Sequence, residues 1–154
     1  MPHARRWSEG VVSDTGSASL EFITAGLILL VPLVYLVVTM SVLQGGAFAA
    51  EGAARQAARA YVQAPDEASA NARAQRAVEF ALADYGIAAD SAEVGIGCAS
   101  SRTGCLARLS AVTITVRIHV SLPLMPEVLS LPSAASIPVE ATATQVVSRF
   151  WGVK

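Results

Sequence analysis

The 154 residues leave room for one globular domain, and 53% hydrophobic against 15% charged residues is too apolar for an ordinary soluble one. A formal net charge of -1 supplies no basic stripe to neutralise phosphates, which argues against a nucleic-acid partner.

Residues 1–16 are polar, carry Arg5, Arg6, Glu9 and Asp14, and lack apolar periodicity, so they read as a leader. Glu21 is the last charge before an uncharged run over residues 22–50. Residues 22–43 are strongly apolar, and as a helix they would be roughly 33 Å long, enough to cross a bilayer core of about 30 Å. A transmembrane helix is therefore expected over residues 17–43, anchored in membrane lipid, with Pro32 kinking it. The competing reading is a secretory signal cut near Ala47-Phe48-Ala49, but the apolar run exceeds the usual signal length. Positive-inside counting is a tie, Arg5 and Arg6 before the span against Arg55 and Arg59 after it.

Residues 44–64 extend the helix beyond the span, with Glu51 placed four residues before Arg55. Ala47, Ala50, Ala54, Ala57, Ala58 and Tyr61 give this extension a face of mostly small groups that lets another helix approach, although alanine is also simply a good helix former. Residues 65–154 form the expected small extracytoplasmic α+β domain. Ala64-Pro65-Asp66-Glu67 breaks the first helix and starts a second, with the two acids at the positive end of its dipole. Ala70, Ala74, Ala77, Val78, Ala81, Leu82 and Tyr85 give that helix a packing face, and Gly86 is its expected stop.

Val112, Ile114, Val116, Ile118, Val120 and Leu122 alternate with polar residues, the signature of a strand with one buried and one wet face. Residues 93–97 and 137–147 are candidate partner strands in an antiparallel sheet, Pro138 placing the latter near an edge or strand start. Pro123, Pro126 and Pro132 keep the intervening segment irregular.

Cys98 and Cys105 bracket a polar turn, and in an oxidising compartment they are expected to form a disulfide worth roughly 2 to 3 kcal/mol. A zinc site wants four ligands, and His3 and His119 do not gather near these cysteines, so no metal and no cofactor is expected. His119 falls on the polar face of its strand without an acid or nucleophile around it. No phosphate loop, Gly-x-Ser-x-Gly or His-Glu-x-x-His occurs, and a membrane-tethered enzyme lacks the polar cluster it needs. No catalytic residue is assigned.

Gly16 precedes Glu21 by five residues, and Gly-Ser-Ala-Ser-Leu-Glu-Phe opens the hydrophobic helix. This junction resembles the processing site of type IV prepilins. With the apolar helix and the small-residue extension around Ala50-Glu51-Gly52-Ala53-Ala54-Arg55, the chain is similar to TadE-like minor pilins or pseudopilins of the tight-adherence (Flp) pilus. The resemblance implies cleavage between Gly16 and Ser17 by prepilin peptidase, a leader that stays cytoplasmic and a C-terminal part outside. It also implies partners among other pilin subunits and the inner-membrane assembly platform, and a role in adhesion. A carboxylate at the lip of a bilayer is unfavourable when unpaired, by about 2.5 to 3.5 kcal/mol at the centre and less at the edge. In the family the Glu attracts the mature N-terminus of an adjacent subunit, a role that falls on Glu21 and the new Ser17 amine. Ser17 stands where major type IV pilins commonly carry an aromatic, so N-methylation does not carry over, and Pro32 lies farther from the Glu than in many TadE-like sequences. The alternative is a permanently anchored extracellular binding module that keeps its leader and joins no filament.

Overall fold

The structure, a computed structural model, describes residues 17–99, 104–123 and 136–152. In chain order it forms helix α1 (Ser17–Val62), helix α2 (Glu67–Ala83), a 3-10 turn (Ala89–Ser91), and strands β1 (Ala92–Cys98), β2 (Ala111–Ser121) and β3 (Ser136–Val146). The class is α+β: a long apolar N-terminal helix, a second helix and a three-stranded antiparallel sheet. The chain divides into two compact units, Met1–Val37 and Val38–Lys154, the boundary falling inside α1. The leader, with Gly16, and the prolines at 126 and 132 lie outside the described residues.

The second unit is built around β2. Its order in the sheet is central, β1-β2-β3, with Val116 opposite Val94 on one side and Ala141 on the other. Alternation with a period of two puts Val112, Ile114, Val116, Ile118 and Val120 on one face, none more than 7% exposed. The opposite face carries Thr113, Thr115, Arg117 and His119, and cross-strand contacts tie it together: Thr113 Oγ1 to Thr144 Oγ1 at 2.9 Å and Thr115 Oγ1 to Thr142 Oγ1 at 3.2 Å. Pro138 lies in the edge strand β3 opposite His119, where the sheet tolerates a residue without an N–H.

The buried face of the sheet meets the helices through alanine. Ala49, Ala50, Ala53, Ala54, Ala57 and Ala58 of α1 are completely buried, joined by Tyr61. From α2, Ala70, Ala74, Val78, Ala81 and Leu82 enter the same core. The small-residue face of α1 is thus occupied by the chain's own sheet and second helix. Ala47 is exposed, and its neighbour Gly46 makes the close approach instead: a Cβ at Gly46 would lie 2.5 Å from Val120 Cγ2. Gly46 is the position where α1 requires the absence of a side chain.

Between the helices, Asp66 is the N-cap of α2, its Oδ1 accepting from the Ser69 N–H at 2.8 Å and its Oδ2 from the Ser69 hydroxyl at 2.9 Å. At the other end the Gly86 N–H donates to the Ala83 carbonyl and the Ile87 N–H to the Leu82 carbonyl, each at 3.0 Å, with Gly86 at a φ of 68°. That is the Schellman closure, and it needs the left-handed conformation glycine adopts without strain. Tyr85, expected on the packing face, is 53% exposed because the helix has already ended at Ala83. The chain closes on itself near its C-terminus, where Trp151 Nε1 donates to the Ala64 carbonyl at 2.9 Å and Arg108 Nε donates to the Trp151 carbonyl at 2.9 Å.

Two glycines of α1 should respond with opposite signs to the same substitution. Gly52→Ala, where the added methyl meets nothing within 4 Å, should stabilise by roughly 0.5 to 1 kcal/mol through helix propensity. Gly46→Ala must displace the stiff, β-branched Val120 and should cost about 1 to 3 kcal/mol of packing strain, outweighing that gain. Thermal unfolding of the detergent-solubilised chain checks both.

The cap also predicts a pH dependence. Hydrogen bonds from Ser69, backbone first and then hydroxyl, hold the Asp66 carboxyl below its ordinary value of 3.8. A lowered native pKa means that stabilisation is complete above pH 3.8 and is lost as pH falls through the lowered value. Asp66→Ala should therefore lower the melting temperature at pH 7, and the gap from the parent should close as the pH is taken below 3.8.

Candidate functional site

In the first unit, the described part of α1 is apolar and uncovered. Leu20, Phe22, Ile28 and Leu29 are each at least 68% exposed, and no part of the described chain packs on them. The helix holds an 18-residue window of mean hydropathy 2.5, long and apolar enough to cross a membrane. Helical structure runs through Pro32. Exposed among these side chains is one carboxylate, Glu21, in a shallow surface with Leu20, Thr24, Ala25 and Ile28. No cation pairs with it among the described residues. Farther along, in the second unit, the Thr39 hydroxyl is enclosed without a hydrogen-bond partner among the described residues.

The second feature is the stapled loop. Cys98 and Cys105 are disulfide-bonded, their Cα atoms 5.2 Å apart, joining the end of β1 to the segment that leads into β2. The loop is also tied to α2: Glu67 Oε1 accepts from the Cys105 N–H at 2.7 Å. Gly104 makes room for that contact, since a Cβ there would lie 2.7 Å from Glu67 Oε1, and it holds a φ of 83°. Glu67 thus has a partner 38 residues away as well as its place at the helix dipole. The signal for it in the sequence is a glycine immediately before a bridged cysteine, whose meaning depends on a fold not visible from local pattern.

The third feature is the wet face of the sheet. Arg117 lies between its two register partners, Glu140 and Glu93, with Nη2 at 2.6 Å from Glu140 Oε2 and Nη1 at 3.8 Å from Glu93 Oε2. The hydrogen bond and charge of Glu140 raise the Arg117 guanidinium above its ordinary value. His119 is exposed on this face two residues on. Among the described residues, no three His, Cys, Asp or Glu side chains gather in a way that would hold a metal ion.

Glu51 and Arg55 form the ion pair read from their four-residue spacing, on the exposed side of α1. Tyr61 is buried, and its phenol is pushed up by desolvation and then by the nearby Glu67 charge. Compared with family models, curated proteins and solved structures, the chain has no match.

Removing the staple tests its contribution to the domain. Cys98→Ser with Cys105→Ser should lower stability by about 2 to 3 kcal/mol through the entropy of the short loop, measured by thermal unfolding of the full chain in detergent.

Proposed function

We propose that this chain is a membrane-anchored structural subunit of the TadE-like kind, a minor pilin or pseudopilin cut between Gly16 and Ser17 and assembled in a Tad-type type IV pilus. The observation that carries the reading is an apolar helix that the described residues leave uncovered, bearing near the start of its apolar run one carboxylate, Glu21, with no cation partner among them. A bilayer accounts for the apolar surface, because no part of the described chain covers it. A cation at the lip accounts for the carboxylate. Cleavage after Gly16 would create one in the Ser17 amine, four residues or one helical turn from Glu21, and an adjacent subunit's amine would set the register between neighbouring spans. The chain then acts by association, not catalysis, with other pilins, the peptidase and the assembly platform as its partners.

The fold bears on the secretory alternative. Cleavage near Ala49 would remove Gly46 and Ala49 from a core in which Ala49 is wholly buried and Gly46 meets Val120. It would also require opening α1 in the middle of its packed stretch. The disulfide supports an oxidising location for the domain, which agrees with the N-in orientation of the prepilin reading.

N-terminal sequencing of the protein extracted from membranes of cells with an active prepilin peptidase tests this directly. Ser17 is the expected first residue, and Gly16→Val should retain the leader. Glu21→Gln should leave cleavage intact but reduce recovery in sheared filaments. A parent protein that begins at Met1 or Pro2 under those conditions is a static anchor and sinks the proposal; one that begins at Ala50 is a secreted domain.

A further inference from the structure

Among the described residues, the charges of the second unit without an ion-pair partner include Arg59 on α1, Arg73 and Arg76 on α2, and a run of acids beyond them. On α1, Arg59 has no carboxylate partner among the described residues, and with Arg55, Gln56, Gln63 and Gln145 it lines a groove of about 580 Å³ floored by Ala60 and Ala77. All five polar side chains in that lining can donate hydrogen bonds, the three glutamines accepting as well, and two are guanidiniums, of which Arg55 is paired with Glu51 and Arg59 is not. Toward the end of α2 the sign reverses. Arg76 stands one turn before Glu79 and Phe80, and beyond it, from residue 77 to residue 99, the chain carries Glu79, Asp84, Asp90 and Glu93 and no Lys or Arg. The first three have no cationic partner among the described residues.

The placement of these acids is costly. Asp84 sits at the C-terminal end of α2, where the helix dipole is already negative, and the last turn has no basic residue to offset it. Beside it, at i and i+4 on the helix, Phe80 is 73% exposed. An exposed aromatic flanked by unpaired acids is poor for the isolated fold and suited to an interface that supplies cations.

We propose that the Arg55–Arg59 groove receives the Phe80 end of α2 from a second copy of this chain. The ring lies against a guanidinium, while Glu79 and Asp84 pair with Arg59 and share Arg55 with its own Glu51, and the glutamines supply further donors. The occupant follows from charge complementarity within one chain: the groove presents donors and cations, and the chain itself carries the matching acids around a free aromatic. Groove and projecting end are different patches, so the contact leaves one of each open at the ends of any row of copies, which permits growth. Tyr85, next to the acidic end, lines a hollow with Val42 and Gly45 of α1. From Gly45 to Arg59 is fourteen residues, roughly 21 Å of helix, so copies pointing the same way meet with an axial offset of about 20 Å. The common orientation of the copies rests on the membrane-anchored filament reading above.

A charge exchange between two differently tagged copies, co-expressed as full chains and extracted in mild detergent, is the test. Arg59→Glu in both copies should reduce co-purification at least tenfold, and Glu79→Arg with Asp84→Arg in both copies should do the same. Pairing an Arg59→Glu copy with a Glu79→Arg, Asp84→Arg copy should restore it, because each groove then faces an end of opposite sign. Circular dichroism and melting temperature establish that each variant is folded. Single-type variants that still co-purify overturn the proposal. So does a mixed pair that fails to recover. N-terminal sequencing of the same samples separates the two hypotheses. An intact leader with a recovered mixed pair removes the pilin reading and keeps the contact, whereas Ser17 with no recovery removes the contact alone.

Discussion

The close approach of α1 to β2 is the constraint on which the second unit depends. A helix packs tightly on a sheet when one partner gives up side-chain bulk, and here the helix does so. Its buried face from Ala49 to Ala58 is alanine, Gly46 carries nothing, and the volume between the layers is filled from the sheet by Val112, Ile114, Val116, Ile118 and Val120. The arrangement fixes register in both directions. A shift of β2 by one residue would present Thr113, Thr115 and Arg117 to the alanines, and rotation of α1 would turn Glu51 and Arg55 inward.

The same helix therefore carries two kinds of apolar surface. Over its first turns the side chains are large and exposed, Phe22, Ile28, Leu29 and Val31 among them. Beyond Gly46 they are small and buried. Large apolar groups suit contact with hydrocarbon, which adapts to any shape, while small ones suit a rigid neighbour that must come close. Between the two lies the transition from uncovered to packed helix.

Some of this was legible in the sequence because it depends on local period. The alternation from Val112 to Val120 defines β2, Ala64-Pro65-Asp66-Glu67 marks the break between helices, and Gly86 stops α2 as expected. The eight residues from Cys98 to Cys105 are short enough for a disulfide to be inferred before any fold is known. What was not legible is nonlocal or ambiguous in kind. Alanine spacing in α1 fits contact with another chain as well as with this one, and the answer depends on where β2 returns. Tyr85 continues the apolar period of α2 past the point where the Schellman closure has turned the backbone. Glu67 reaches Cys105 and Gly46 meets Val120 across separations that carry no pattern. Near Glu21 the structure contributes the bareness of the helix and the lack of a cation beside the carboxylate among the described residues, whereas the proposed cut after Gly16 rests on the sequence alone.

The bond from Trp151 to the Ala64 carbonyl joins positions 87 residues apart, the corner between the helices and almost the end of the described chain. Ala64 is synthesised before Trp151, so that carbonyl stays hydrated until the segment carrying Trp151 has emerged and folded back. The corner between the helices is thus latched from far along the sequence, so the order of the hinge depends on a residue that neither helix contains.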